Sequence, residues 1–189
     1  VYKHPEGEVV LTFDDGPHEM VTENILNTLT SRNLPGYFFI LGNKLNSNFN
    51  FSMYTEQGHF VCLHGGNHLP VNMNKDWQSG MMATLHKLKN VNVHVKYARP
   101  PYGLFNRRYL DFLKKNNLEL MMWNHTTYDY KAKNPKQWAE QVVSQTKSGD
   151  ILLLHDSHKT VNLYTEGLQY LLDGLGKRGL KVGTFNQTV

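Results

Sequence analysis

Short apolar runs alternate along the chain with stretches whose apolar residues recur every three or four positions. The runs predict strands and the spaced stretches predict helices. Residues 9–13 form the first run, and Asp14-Asp15-Gly16-Pro17 stops it. Val21, Ile25 and Leu29 then share one helical face. Residues 37–41 make a second run closed by Gly42, and residues 60–63 a third. Trp77, Met81, Leu85 and Leu88 stripe a helix, and residues 93–98 alternate weakly ahead of Pro100-Pro101. Tyr109 and Leu113 mark a helix beginning near Asn106, followed by a strand over residues 118–123. Asn134-Pro135 reads as a cap with proline at the first helical position, leading into Trp138, Val142 and Thr146. Residues 151–154 are a fully apolar strand. Leu168, Leu171, Leu172 and Leu175 belong to a last helix, and residues 180–185 to a last strand.

This pattern of about seven strands separated by helices predicts an α/β fold with a mostly parallel sheet. A closed or nearly closed barrel and an open doubly wound sheet both accommodate it. No G-x-G-x-x-G follows the first run, which disfavours a dinucleotide fold. No linker, repeat or low-complexity tract intervenes, so residues 1–189 read as one domain. In parallel α/β folds the C-terminal strand ends form the active face. Asp14-Asp15, His64 with His68, Arg99 with Tyr102, Asp129, and His155-Asp156 all follow predicted strands. Five distant segments are thereby expected at one mouth.

Composition narrows the class. At 40% hydrophobic and 19% charged residues, the 189-residue chain is globular, not disordered, collagenous or coiled-coil. No apolar run approaches the roughly 18 residues that span a bilayer. Cys62 is the single cysteine and cannot form an internal disulfide. Twenty Lys and Arg against 16 Asp and Glu give +4, without the dense basic stripe of a nucleic-acid binder. That balance supports a mild attraction to an anionic polymer or surface. Ten histidines point towards metal or acid–base chemistry. The chain opens on Val1, not Met, as expected if a leader was removed or the chain trimmed.

Each polar segment offers chemistry. In Thr12-Phe13-Asp14-Asp15-Gly16-Pro17, one carboxylate can bind a cation while its neighbour serves as a base. His64 and His68 are separated by Gly65-Gly66-Asn67, which favours a loop over a regular helix. Two His and one Asp suit catalytic zinc with an open position; ferrous iron, cobalt and manganese accept the same set. Such a centre hydrolyses acyl bonds by activating water. In Arg99-Pro100-Pro101-Tyr102-Gly103, rigid prolines hold an arginine able to orient an Asp, and a turn N–H able to meet an oxyanion. His155, delivered by an apolar strand, can protonate a leaving amine, with leucines lining a methyl pocket. Singly, each segment also has an ordinary reading: an Asp-rich turn, surface histidines, a stiff proline turn, a capping histidine.

Together and in this order, the segments resemble the polysaccharide deacetylase family, carbohydrate esterase family 4, also called the NodB-homology domain. The resemblance covers residues 9–185. It implies a distorted (β/α) barrel of about seven mostly parallel strands with the active site at their C-terminal ends. It implies Asp14 as general base, Asp15, His64 and His68 as metal ligands, and Arg99 as the residue positioning Asp14. The Tyr102 N–H would stabilise the oxyanion, Leu153 would line the acetyl pocket, and His155 would be the general acid. The implied reaction is removal of N-acetyl groups from polymeric N-acetylglucosamine by metal-activated water, without a covalent enzyme intermediate. The implied cofactor is one divalent ion, Zn2+ foremost, with Co2+ or Mn2+ as alternatives.

Two positions depart from the family pattern. Gly65 stands where Ser or Thr usually follows the first His, and Thr126-Thr127-Tyr128-Asp129-Tyr130 stands for Asp-x-x-Asp-Trp. Thr126 thus replaces the Asp expected to pair with Arg99, and Asp129 is a candidate substitute. Trp123, Tyr128 and Asp129 are candidate sugar contacts. Peptidoglycan is the preferred polymer, because positive charge suits an anionic wall. Chitin oligomers, O-acetyl xylan, a non-sugar amide and a catalytically silent glycan binder are the alternatives. A monomer acting in the cell envelope, the periplasm or outside the cell is expected, with no nucleic-acid partner and no transmembrane segment.

Overall fold

In the computed structural model, residues 7–46 and 50–185 are described. Strand β1 (Glu8–Gly16) is followed by α1 (Glu19–Thr30), β2 (Tyr37–Leu41), the short α2 (Ser52–Thr55) and β3 (Phe60–Gly65). Then come α3 (Trp77–Asn90), β4 (Tyr97–Ala98), α4 (Arg107–Lys115), β5 (Glu119–Leu120) and β6 (His125–Thr126). The order ends with α5 (Pro135–Gln145), β7 (Ile151–His155), α6 (Gly167–Lys177) and β8 (Lys181–Val182).

Seven strands lie side by side in the order β5-β4-β3-β2-β1-β7-β6, and β8 pairs with the start of β1. Every pairing is parallel. The sheet curls into a half-barrel backed by helices, the distorted (β/α) barrel that the sequence resemblance implies. Among the described residues β5 and β6 do not pair, so the barrel is not closed.

The two-residue period of the strands sorts every side chain. Val9, Leu11 and Phe13 of β1 point outward into the large core beneath the helices, with Phe38, Ile40, Leu63, Leu152 and Leu154. Val10, Tyr37, Phe39, Cys62, Tyr97, Met121 and Ile151 form a second, interior core. Continuing each inward row towards the strand's C-terminal end replaces apolar by polar side chains: Thr12 then Asp14, His64 after Cys62, Arg99 after Tyr97, His155 after Leu153. The barrel interior is thus oily at its base and polar at its mouth.

The edges of the sheet are shorter than their apolar patterns. Residues 93–98 supply only Tyr97–Ala98, and Pro100 and Pro101, which have no N–H, keep the strand from running on. Residues 118–123 supply only Glu119–Leu120, paired on one side, and residues 180–185 only Lys181–Val182. Strand β6 carries no apolar run, yet pairs with β7 at His125 and Thr126. The expected cap of α5 forms, with the Asn134 side chain accepting from Gln137 N–H at 2.9 Å, and Asn106 caps α4 in the same way, accepting from Tyr109 N–H at 3.1 Å.

Leu154, with no exposure on β7, sits between β1 and β6. Leu154→Ala is expected to cost about 2–5 kcal/mol. The urea midpoint should then fall with an unchanged slope; an unchanged midpoint contradicts this packing.

Candidate active site

A cleft of about 370 Å³ opens at the C-terminal strand ends, lined by Asp14, Asp15, His64, His68, Tyr102, Trp123, Leu153 and His155. Alternation alone would turn adjacent Asp14 and Asp15 to opposite faces of β1. A register shift between Asp14 and Gly16 against β2, with Asp15 at φ 78°, turns both into the cleft. Tyr102 also lies in the left-handed region, at φ 60°. Backbone strain of this kind gathers at functional sites.

Asp15, His64 and His68 bring three ligand atoms within 4.8 Å of one another. Asp15 Oδ1 lies 3.1 Å from His68 Nε2 and 3.5 Å from His64 Nε2, yet it is buried without a hydrogen-bond partner. The His64 Nδ1 lies 2.9 Å from the Arg99 carbonyl, which makes it the donor and leaves Nε2 as a lone pair facing Asp15. Burial lowers the His68 pKa below its ordinary 6.5, favouring a neutral, ligating imidazole. Burial pushes the Asp15 carboxyl up, but the two imidazoles outweigh it and hold it at about 2. Three electron-pair donors converging on one point fit a divalent cation; without one they face each other unsatisfied.

Arg99 flanks this group, fully buried. It donates through Nη1 to Asp14 Oδ1 at 2.7 Å and Thr12 Oγ1 at 2.9 Å, and through Nε to the Met121 carbonyl at 3.0 Å. Its guanidinium carbon lies 4.0 Å from the Phe39 ring centre and 5.3 Å from that of Trp123. Its Nη2 has no partner. Thr126, at the position where an Asp was expected, instead accepts from Trp123 Nε1 at 3.0 Å. Aromatic faces therefore surround Arg99 where a second carboxylate was expected.

On the opposite side, Asp129 Oδ1 meets His155 Nδ1 at 2.8 Å, and Oδ2 accepts from the His155 backbone N–H and the Tyr164 hydroxyl, each at 2.6 Å. Asp129 has no exposure. It lies behind His155, so the sequence reading of it as a sugar contact or as the partner of Arg99 does not hold. Burial lowers the His155 pKa, but the bond and charge of Asp129 outweigh it, with Asp14 and Asp15 adding to the rise, to about 9. At neutral pH His155 carries a proton to give. Leu153 and Trp123 face the cleft as expected; Tyr128 is exposed outside its lining.

Pattern reading missed Tyr164, whose loop position carries no periodic signal; Tyr130, which stands at the usual Trp of its motif, sets its ring edge-on to His155 at 5.4 Å. Thr84 was also unforeseen. From α3 its hydroxyl reaches the Gly80 carbonyl at 2.8 Å and the Gly65 carbonyl at 3.4 Å, bracing the loop that lacks the usual hydroxyl residue. Gly65 itself sits at φ 126°, which side-chain-bearing residues avoid. Beside it, a Cβ on Gly66 would fall 2.5 Å from the Gly80 Cα.

Fold and cleft together define a parallel α/β protein with an Asp-His-His group between two buried charge pairs. The chain belongs to the polysaccharide deacetylase family, whose profile matches residues 2–121. It is 30% identical over 190 residues to the Listeria monocytogenes peptidoglycan-N-acetylglucosamine deacetylase PgdA, across 93% of this chain. The chain spans 40% of that relative's length. A family 4 carbohydrate esterase from Streptomyces lividans, solved with acetate, superposes with TM-score 0.78 at 26% identity, over 95% of this chain and 93% of that one. A mutant of a Bacillus anthracis family 4 pseudoenzyme with restored enzymatic activity superposes with TM-score 0.83 at 26% identity, over 97% and 68% of the two chains.

Removing the guanidinium isolates a buried carboxylate. In metal-free protein, Arg99→Met is expected to cost about 3–5 kcal/mol, lowering the thermal midpoint by about 10 °C. Calorimetry showing no shift would mean that Asp14 does not depend on this pair.

Proposed function

We propose that this chain is a metal-dependent hydrolase that removes N-acetyl groups from N-acetylglucosamine units of peptidoglycan. The observation that carries the reading is the arrangement of one cleft. Asp14 is held by Arg99 on one flank, His155 is held by Asp129 on the other, and Asp15, His64 and His68 lie among them. The name of the Listeria relative supports the choice of polymer, and a protein acting on that polymer would work at the cell envelope or outside the cell.

Asp15, His64 and His68 would hold one divalent ion, for which zinc is the first choice. When bound, that ion lowers the pKa of water towards about 7 and polarises a carbonyl. Asp14 takes the proton of the attacking water, its carboxylate oriented by Arg99. The backbone N–H groups of Gly103 and Leu104 close the proline turn onto Pro100 and Pro101, leaving the Tyr102 N–H to donate to the developing oxyanion. Leu153 lines the space for the acetyl methyl group. His155 donates its Nε2 proton to the departing sugar nitrogen, while Asp129 on Nδ1 fixes the ring's orientation. The carbon–nitrogen bond breaks, and acetate and a free amino sugar leave. Trp123 and Tyr130 offer ring faces and edges to the glycan.

The general acid sets a pH limit. His155 must be protonated to act, so kcat/KM should fall as pH rises through about 9. Asp129→Asn removes the charge that lifts this pKa, so the alkaline limb should move to lower pH. An unmoved limb would assign the proton to another group.

Acetate release from peptidoglycan and from chitin oligomers, assayed side by side with zinc-loaded protein and with Asp14→Asn, tests the whole reading. Release from peptidoglycan that drops at least about 10²-fold in the variant supports it. Greater release from chitin moves the substrate. Bound zinc with no release from either polymer overturns the deacetylase and leaves ester hydrolysis or a silent binder.

A further inference from the structure

The net charge of the chain is unevenly placed. Residues 74–118 carry nine Lys and Arg against two Asp, a net of +7, which leaves the rest of the chain at −3. Of the nine, only Arg99 is buried. The other eight lie exposed on and beside α3 and α4. The fold brings three of them, Lys89, Arg108 and Lys115, to one trough, while Lys87 turns to the Gly42 and Leu45 carbonyls and Lys96 pairs with Glu119.

Between α3 and α4 runs a trough of two hollows, about 450 and 420 Å³, which share Met82 and Asn116. Arg108 and Lys115 line the first hollow; Lys89, His86 and His94 line the second. Asp111 is the one acid on either lining, and Arg107 engages it at 3.2 Å. Among the described residues, Arg108, Lys115 and Lys89 meet no carboxylate within ion-pair distance.

Local stability explains part of this charge. Lys87, Lys89, Lys114 and Lys115 sit in the last turns of their helices, where the dipole favours cations. Arg107 and Arg108 do not fit that account. They open α4 with no acid in its first turn, against the dipole. A run of cations kept along an open channel at some local expense is what an extended anionic ligand requires.

The trough also lacks what a base-reading groove needs. Phe112 on its lining is 7% exposed and offers no stacking face, which leaves only the imidazoles of His86 and His94 in one hollow. Recognition there is chiefly by charge. Both helices begin at the cleft mouth, α3 after the His64–His68 loop and α4 after the Tyr102 turn, and run towards the base of the barrel. A strand seated between them would pass down the outer wall without entering the cleft.

We propose that the α3–α4 trough is a second binding site, for a linear phosphodiester polymer without bases. It would hold the protein on a polyanionic matrix while the cleft stays free for its own substrate. The inference rests on charge placement and not on deacetylation.

The test is binding of the whole chain to inorganic polyphosphate by fluorescence anisotropy over a series of salt concentrations. The trough variant is Lys89→Glu, Arg108→Glu and Lys115→Glu together. The control reverses three exposed lysines elsewhere, Lys133→Glu, Lys136→Glu and Lys177→Glu, and reaches the same net charge. Loss of three cation–phosphate contacts should flatten the log–log salt slope by about 2, equivalent to about 20-fold between 50 and 200 mM salt. The control should keep the wild-type slope. Both variants should match wild type in circular dichroism, and in whatever acetate release neutral chitin oligomers give, so a misfolded variant is recognised. Equal weakening in both variants, or no polyphosphate binding by the wild type, overturns the site. A thymidine oligomer or polyglutamate bound more tightly than polyphosphate overturns the assigned ligand.

Discussion

Everything at the mouth of this barrel hangs on a guanidinium with no access to water. Arg99 reaches Asp14 and Thr12 on β1, takes the Met121 carbonyl just past β5, and offers its own carbonyl to His64 on β3. Thr12 in turn donates to the Leu152 carbonyl on β7 at 2.7 Å. One residue, through its side chain and its carbonyl, therefore ties four strands together and fixes the rotamer of a carboxylate and the tautomer of an imidazole. A buried arginine with one carboxylate is expensive, and aromatic rings on two sides recover only part of that cost. What the fold gains is an arrangement in which Asp14 and His64 cannot move independently.

The second charge pair is built differently. Asp129 is held at the end of a short turn and receives hydrogen bonds from His155, from the Tyr164 hydroxyl and from the backbone. Every oxygen lone pair it directs inward is engaged, so its charge is focused on one imidazole. The cleft thus has a carboxylate restrained by a cation on one flank and a cation restrained by a carboxylate on the other. That difference is what acid–base work at two ends of one bond calls for.

The parts legible in the chain were those written locally. Runs of apolar residues announced β1, β2, β3 and β7, and Asn134 announced a helix start through its own side chain. The motif residues Asp14, His64, Arg99, Leu153 and His155 were legible because each lies in, closes or follows such a run, where alternation delivers it inward; Asp15 and His68 were legible only from their place in the motifs, since a register shift and a loop bring them in. Edge strands were not legible, because two residues paired on one side need no apolar pattern. Asp129 was misread for a different reason. Sequence places it in a polar loop, and only the packing of Tyr164 and His155 around it shows that the loop turns inward. The charge on α3 and α4 was present in the sequence, but that Lys89, Arg108 and Lys115 border one trough appears only when the two helices lie side by side.

The contact between Gly66 and Gly80 gives the molecule a mechanical property. There the loop carrying His64 and His68 touches α3 backbone to backbone, with no side chain between them to yield. Side-chain contacts absorb small displacements by changing rotamer; bare main chain does not. The loop and the helix must therefore travel as one lever, pivoting at that touch. A push of α3 against the loop would reach the two histidines without slack.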